Sequence, residues 1–341
     1  MQENLDYPDK KRGKVFISVI ITAFNRKTYV EQAMKSALNQ TLSKDLYEIF
    51  LVKNYVDESI DEFAEKNGII IVNSDEPNYG NRILSVLKFM NGEIICFLED
   101  DDLYNKSHLK YIYDSFVLHQ KLGFIKGNFI TFSNVNTPYT AVWKPIKKVY
   151  IIDPEHIKTK NLIFIESRGI NAVISASAIR KDLLALALAN ASSFYLFDYY
   201  LPFYVIASGF QVMASNYIIS KYRVSDSWTH IITDNREIFL QRKIDLLERT
   251  VRDYTAMINF LNSNYKFRRA LSYNRTKMQI ELTLLRNESS KISDITNYIV
   301  CSISELNYKR MILLVLYFSL KLLKIQKLKT IYFKYIGVDK Q

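Results

Sequence analysis

The chain has 341 residues, 48% of them hydrophobic, with a net charge of +11 and two cysteines. That length and apolar content suit one large α/β domain with an extension, or two domains, and exclude a disordered or low-complexity chain. Cys96 and Cys301 are too few for a disulfide framework, so both are read as core filling in a reducing compartment.

The polar segment Met1 to Lys14 lacks the apolar core of a secretion signal, which makes the cytoplasm the expected location. Val15 to Ala23 is a β-branched strand, and Thr28 to Asn39 is a helical pattern with Val30, Ala33, Met34 and Ala37 on one side. The alternation continues with a strand at Tyr47 to Val52, a helix at Ser59 to Lys66, a strand at Ile69 to Val72, a helix at Arg82 to Met90 and a strand at Glu93 to Leu98. Strands regularly separated by helices predict right-handed crossovers and a largely parallel, doubly wound sheet.

After a helix at Ser107 to Gln120, strand-like pieces fall at Gly123 to Phe132, Thr140 to Trp143, Val149 to Ile152 and Ala172 to Ser175. Helical patterns at Ile179 to Ala189 and Tyr199 to Ser208 precede a strand at Tyr217 to Val224, so this region reads as mixed and partly antiparallel. From Asn235 the pattern is nearly all helix, with Leu240, Ile244, Leu247 and Val251 on one face.

The charge is uneven. Residues 231–341 hold 20 Lys+Arg against 10 Asp+Glu, leaving 26 against 25 in residues 1–230. The segment 306–341, with eight Lys+Arg and one acid, interleaves these cations with Met311 to Phe318, Leu322-Leu323 and Tyr332-Phe333. Its longest apolar run is too short to span a bilayer. Such a segment could lie on an anionic leaflet as a peripheral membrane contact, or pack on the catalytic body with its lysines solvated. Nucleic acid is a third-ranked partner, since no recognition motif accompanies the charge.

The most informative feature is the acidic run Glu99-Asp100-Asp101-Asp102 directly behind the apolar strand ending at Leu98. Ligands of open α/β sheets bind at the C-terminal strand ends, where Thr22, Asn25, Arg26, Asn54, Asp57, Asn73 and Asp75 also gather. Adjacent carboxylates repel unless neutralised, which a hard divalent ion such as Mn²⁺ or Mg²⁺ bridging to a diphosphate would do. The alternative is a solvated turn in which Asp102 or Asn105 caps the helix near Ser107. Neither a Gly-x-Gly-x-x-Gly nor a Walker-type loop follows the first strand, so a nucleotide would need a different phosphate cradle.

Ser18 to Arg26 (SVIITAFNR), Asn78-Tyr79-Gly80, Gly92 to Leu103 and Phe197-Asp198, in that order and spacing, resemble family 2 glycosyltransferases of the GT-A fold. The resemblance covers residues 15–230 and implies a Rossmann-like, doubly wound mixed sheet with a C-terminal helical extension. The expected organisation is a polar arm over 1–14, a GT-A domain over 15–230 and a basic helical extension over 231–341. Within the GT-A domain, 15–104 would form the nucleotide-binding half and 105–230 the acceptor half.

The same resemblance implies roles. Thr22, Ala23, Asn25 and Arg26 would line the base, ribose or phosphate, with Asn78, Gly80 and Arg82 in the same donor pocket. The family usually places an Asp at the end of the second strand to read the nucleobase; here Lys53-Asn54 stands there, with Asp57 the next carboxylate, leaving the base of a UDP- or GDP-sugar open. The Asp-x-Asp signature fits Glu99-x-Asp101 or Asp100-x-Asp102. The preceding Phe97-Leu98 favours the first register, with Asp101 on the metal and Glu99 or Asp100 near the ribose. His230 resembles a residue that some members place over the metal, and Arg168 and Asn171 lie in the region that usually meets the acceptor. Asp198 resembles the general base of inverting transfer to a hydroxyl of a glycan or lipid-linked acceptor. A sugar nucleotidyltransferase is the alternative enzyme, although it normally needs a Gly-rich basic loop where Thr22 to Arg26 stands. A catalytically degenerate binding or scaffold protein is the non-enzymatic alternative.

Overall fold

The computed structural model describes residues 15–132, 145–158, 172–224, 235–261 and 265–286, with isolated positions between and after these stretches. Strands β1 (Ile17–Ala23), β2 (Tyr47–Lys53), β3 (Ile70–Asn73) and β4 (Ile94–Glu99) alternate with helices α1 (Val30–Leu38), α2 (Glu58–Lys66) and α3 (Tyr79–Leu87). All four strands run parallel, in the order β3-β2-β1-β4, and Thr22 lies opposite both Val52 and Glu99. This is the doubly wound half that the alternation predicts. The register brings the ends of β1, β2 and β4 to one edge.

Beyond β4 the direction reverses. The short β5 (Leu103–Tyr104), helix α4 (His108–Leu118), β6 (Leu122–Phe132), β7 (Tyr150–Ile152), β8 (Ser177–Arg180) and β9 (Gln211–Arg223) complete a sheet of order β3-β2-β1-β4-β8-β6-β9-β5, with β7 paired to β9. Strand β8 is antiparallel to both β4 and β6, whereas β6 and β9 are parallel. Helices α5 (Lys181–Ala191) and α6 (Phe197–Ala207) pack on one face, and α7 (Arg236–Phe260) and α8 (Tyr265–Leu285) follow.

Three expectations need correction. Residues 172–175 are not a strand: Val173 takes a left-handed conformation (φ 56°), a 3₁₀ turn covers Ile174–Ala176, and the strand starts only at Ser177. The following helix therefore begins at Lys181 rather than Ile179. The last strand starts at Gln211, six residues before Tyr217, because Val212 to Ser215 is buried between neighbours and carries no alternation to read. The expected strand at 140–143 lies outside the described residues.

Two cores flank the sheet. One holds Ile17, Val19 and Ile21 of β1 with Val30, Ala33, Met34 and Ala37 of α1; the other holds Ile20, Phe97 and Phe124 with Leu184, Leu188, Tyr200 and Phe203. Each buried branched or aromatic side chain contributes about 1.5–3 kcal/mol of apolar transfer. Tyr254, Met257, Phe267, Ala270 and Leu271 of the C-terminal helices belong to the second core. No helix among the described residues is long and apolar enough to cross a membrane.

Candidate active site

The acidic run is not a solvated turn. Glu99 is the last residue of β4, and Asp100, Asp101 and Asp102 are only 3%, 7% and 0% exposed. Asp102 does not cap α4, whose N-cap Ser107 makes no side-chain cap bond; its Oδ1 accepts the backbone N–H of Arg223 at 2.8 Å, and its buried Oδ2 has no hydrogen-bond partner. Burial, followed by the other carboxylates of the rim and Asp198, raises the Glu99 carboxyl well above the usual range. Burial and then Asp101 push Asp102 up to about 7. Four acids at one strand end thus carry more negative charge than their surroundings solvate.

Two arginines answer part of it. Arg26 donates from Nε to Asp100 at 2.8 Å, closes a second bond from Nη2 to the same carboxylate, and lies 2.7 Å from Asp101 through Nη1. This fork suits a guanidinium and ties the loop after β1 to the rim. At the end of β9, Arg223 donates from Nε to the Asp101 carbonyl and from Nη2 to Gln32, both at 2.8 Å, between the rings of Tyr29 and Phe132.

The other expected donor-side residues occupy the same edge with varied local duties. Thr22 and Ala23 are buried at the end of β1. Asn25 takes a left-handed conformation (φ 56°), which Asn tolerates, and pairs reciprocally with Asn54. The Asn25 backbone N–H donates to Asn54 Oδ1 at 2.8 Å and Asn54 Nδ2 to Asn25 Oδ1 at 2.7 Å. Asn54 is therefore held by the first loop. Asp57 is the N-cap of α2, accepting from Ile60 N–H, and lies 3.2 Å from Lys27. Asn78 is the N-cap of α3, while Gly80 abuts the Ser192 backbone so closely that a Cβ would stand 2.5 Å from its carbonyl oxygen. Arg82 stacks over Phe24 and donates to the carbonyls of Glu76 and Pro77.

Asp198 lies in the first turn of α6, half-buried, with Oδ1 accepting the Tyr199 N–H at 3.0 Å. Burial pushes its carboxyl up to about 7, against the Tyr199 amide and the Lys126 ammonium, which lower it. Lys126 of β6, 1% exposed, lies near Asp198, Asp102 and Glu99. The sequence reading passed over Lys126 and Arg223. The available signals were a lone charge inside the apolar strand Leu122–Phe132 and the arginine closing the last strand. His230, Arg168 and Asn171 lie outside the described residues.

The rim fits a hard cation by donor chemistry. Its side chains offer carboxylate oxygens, and one of these, Asp102 Oδ2, is buried without a hydrogen-bond partner. A different group, Asp153, Glu155 and His156, is the one whose donor atoms converge within 4.8 Å among the described residues. It is largely exposed and sits beside Gln211, at the opposite end of β9 from Arg223.

Residues 18–184 match the family described as glycosyl transferase family 2. The chain carries a family 2 glycosyltransferase domain. The probable glycosyltransferase YdaM of Bacillus subtilis is 29% identical over 133 residues, which are 36% of this chain and 32% of that protein. The chain thus spans about a third of that relative's length. The UDP-Glc:α-D-GlcNAc-diphosphoundecaprenol β-1,3-glucosyltransferase WfgD of Escherichia coli is 24% identical over 256 residues, covering 72% of this chain and 90% of that one. The fold resembles the mannosyltransferase PcManGT of Pyrobaculum calidifontis, solved with GDP-Man and Mn²⁺. The TM-score is 0.53 at 11% identity, over 96% of this chain and 86% of that one. The mixed α/β sheet with helices is the GT-A fold.

Proposed function

We propose that this chain transfers a sugar, with inversion, from a nucleotide-diphosphate-sugar donor to a hydroxyl acceptor. The observation that carries the reading is the half-buried Asp198 facing, through Lys126 and Glu99, the four-acid rim at the end of β4. Asp198 takes the proton of the acceptor hydroxyl as that oxygen bonds to the anomeric carbon. The bond from that carbon to the diphosphate oxygen breaks, and the nucleoside diphosphate leaves with the electron pair. Arg26 holds Asp100 and Asp101 in place beside the donor. Glu99 and Asp101 would hold Mn²⁺ or Mg²⁺, which would supply positive charge against the negative charge developing on the leaving diphosphate.

WfgD uses a UDP-sugar and a lipid-linked acceptor, so a UDP-sugar and a diphospholipid-linked glycan are the first pair to test, with GDP-sugars second. The basic, apolar segment 306–341 would hold the enzyme peripherally on the inner membrane face, within reach of a lipid-linked acceptor. The test is Asp198→Asn. Turnover should fall about 10²–10⁴-fold, the contribution of a positioned base, while UDP or GDP binding with Mn²⁺ by calorimetry stays within a few-fold. Near-normal turnover of the Asn variant would remove Asp198 from the mechanism.

A further inference from the structure

Lys126 is a charged side chain in a strand interior, with β8 on one side and β9 on the other. Alternation puts it on the same sheet face as Phe124, toward α5 and α6, and a break in register follows it at Gly127. Its Nζ donates to the carbonyl of Val173, which also accepts the Ala176 N–H at 3.0 Å. Val173 is the strained point of this segment: a β-branched residue at φ 56°, where the Cβ crowds the following carbonyl. Such a conformation is strained for a β-branched residue and persists only when the surroundings impose it. What the bend achieves is local. It lets the 3₁₀ turn Ile174–Ala176 place the fully buried Ser175 against β4, where its Oγ accepts the Glu99 N–H at 3.0 Å, beside Asp102.

We propose that Lys126 is a positioning residue for the transfer, clamping the Val173 carbonyl so that the left-handed bend holds and Ser175 fixes the acidic rim relative to Asp198. The effect on turnover rests on the proposed function above, whereas the clamp itself does not. The cost of replacing the lysine should therefore appear in kcat rather than in donor affinity. It should also be relieved by a residue that adopts the bend without being held. Glycine is such a residue.

The experiment compares Lys126→Met, Val173→Gly and the double variant with the parent chain. Hydrogen exchange of the amides of residues 173–177 and Glu99 should quicken at least tenfold in Lys126→Met, with the amides of β1 and β2 unchanged. The same variant should lose at least tenfold in kcat, with donor KM and the calorimetric affinity for nucleotide plus Mn²⁺ within threefold. Adding Val173→Gly should restore at least threefold of the lost kcat and much of the protection. Unchanged exchange at 173–177, an equal loss of nucleotide affinity, or no recovery in the double variant would overturn the assignment. If Lys126→Met does not fold alone, folding of the double variant supports the clamp and its failure to fold overturns it. A parent chain inactive on every nucleotide sugar, combined with faster exchange in Lys126→Met, would sink the transferase reading and leave the clamp standing.

Discussion

At the scale of single residues, the site is organised by charges that the fold refuses to solvate. Asp198 is faced by Lys126 from β6, Glu99 from β4, Tyr79 from α3 and Tyr195 from the segment before its own helix. Burial holds its carboxyl at about 7, and a base acts only when deprotonated. The sign follows directly: below that value the proton is already on Asp198, so kcat/KM should fall about tenfold per pH unit. Above it the rate should level off. A pH–rate profile of the parent chain that is flat from pH 5 to 8 would exclude Asp198 as the group that accepts the proton. Arg26 works differently, since its fork onto Asp100 and Asp101 lets two neighbouring acids coexist at low exposure.

At the scale of elements, one side chain ties two strands to the connection that leads into β4. Glu48 of β2 accepts from Ser18 Oγ of β1 and from the Asn91 backbone N–H, both at 2.6 Å, from Asn91 Nδ2 at 3.1 Å and from Gly92 N–H at 3.3 Å. Gly92 has no room for a side chain there, because a Cβ would stand 2.3 Å from the Ser18 nitrogen. Glu48→Ala should cost about 1–2 kcal/mol, chiefly by taking the carboxylate acceptor from the buried Ser18 hydroxyl, and Glu48→Gln less than that. Both are read as a lower urea midpoint at unchanged m. The parallel half was legible in the sequence because each strand is a β-branched run bounded by an amphipathic helix, as with Ile17–Ala23 and Val30–Leu38. The acidic run was legible because it ends such a strand. The second half was harder to read. Val173 bends where local pattern favours extension, and β5 is two residues long and exists only through its pairing with Lys221 and Ser220. Lys126 stands out only as a lone charge in an apolar strand, and what such a lysine does shows only when its tertiary neighbours are known.

At the scale of the whole molecule, the C-terminal helices are part of the structure that presents Asp198. Asp253 of α7, 2% exposed, accepts the backbone N–H of Leu196 at 2.8 Å, and Leu196 is the N-cap of α6. Asp253→Ala should lower stability by about 1–3 kcal/mol by leaving that buried amide unpaired. It should also reduce kcat several-fold through Asp198, whereas Asp253→Asn, which keeps an acceptor oxygen, should do neither as strongly. Thermal unfolding and steady-state kinetics on the two variants separate these outcomes. Tyr254, Met257, Phe267 and Ala270 fill the same core as Phe203 and Leu184, so the two segments share one interior. An expression boundary drawn at residue 230 would strip the floor from beneath α5 and α6. The smallest portable unit of this fold runs through at least residue 286, and chimeras that exchange C-terminal segments between relatives should keep the α7 and α8 hairpin with its native body.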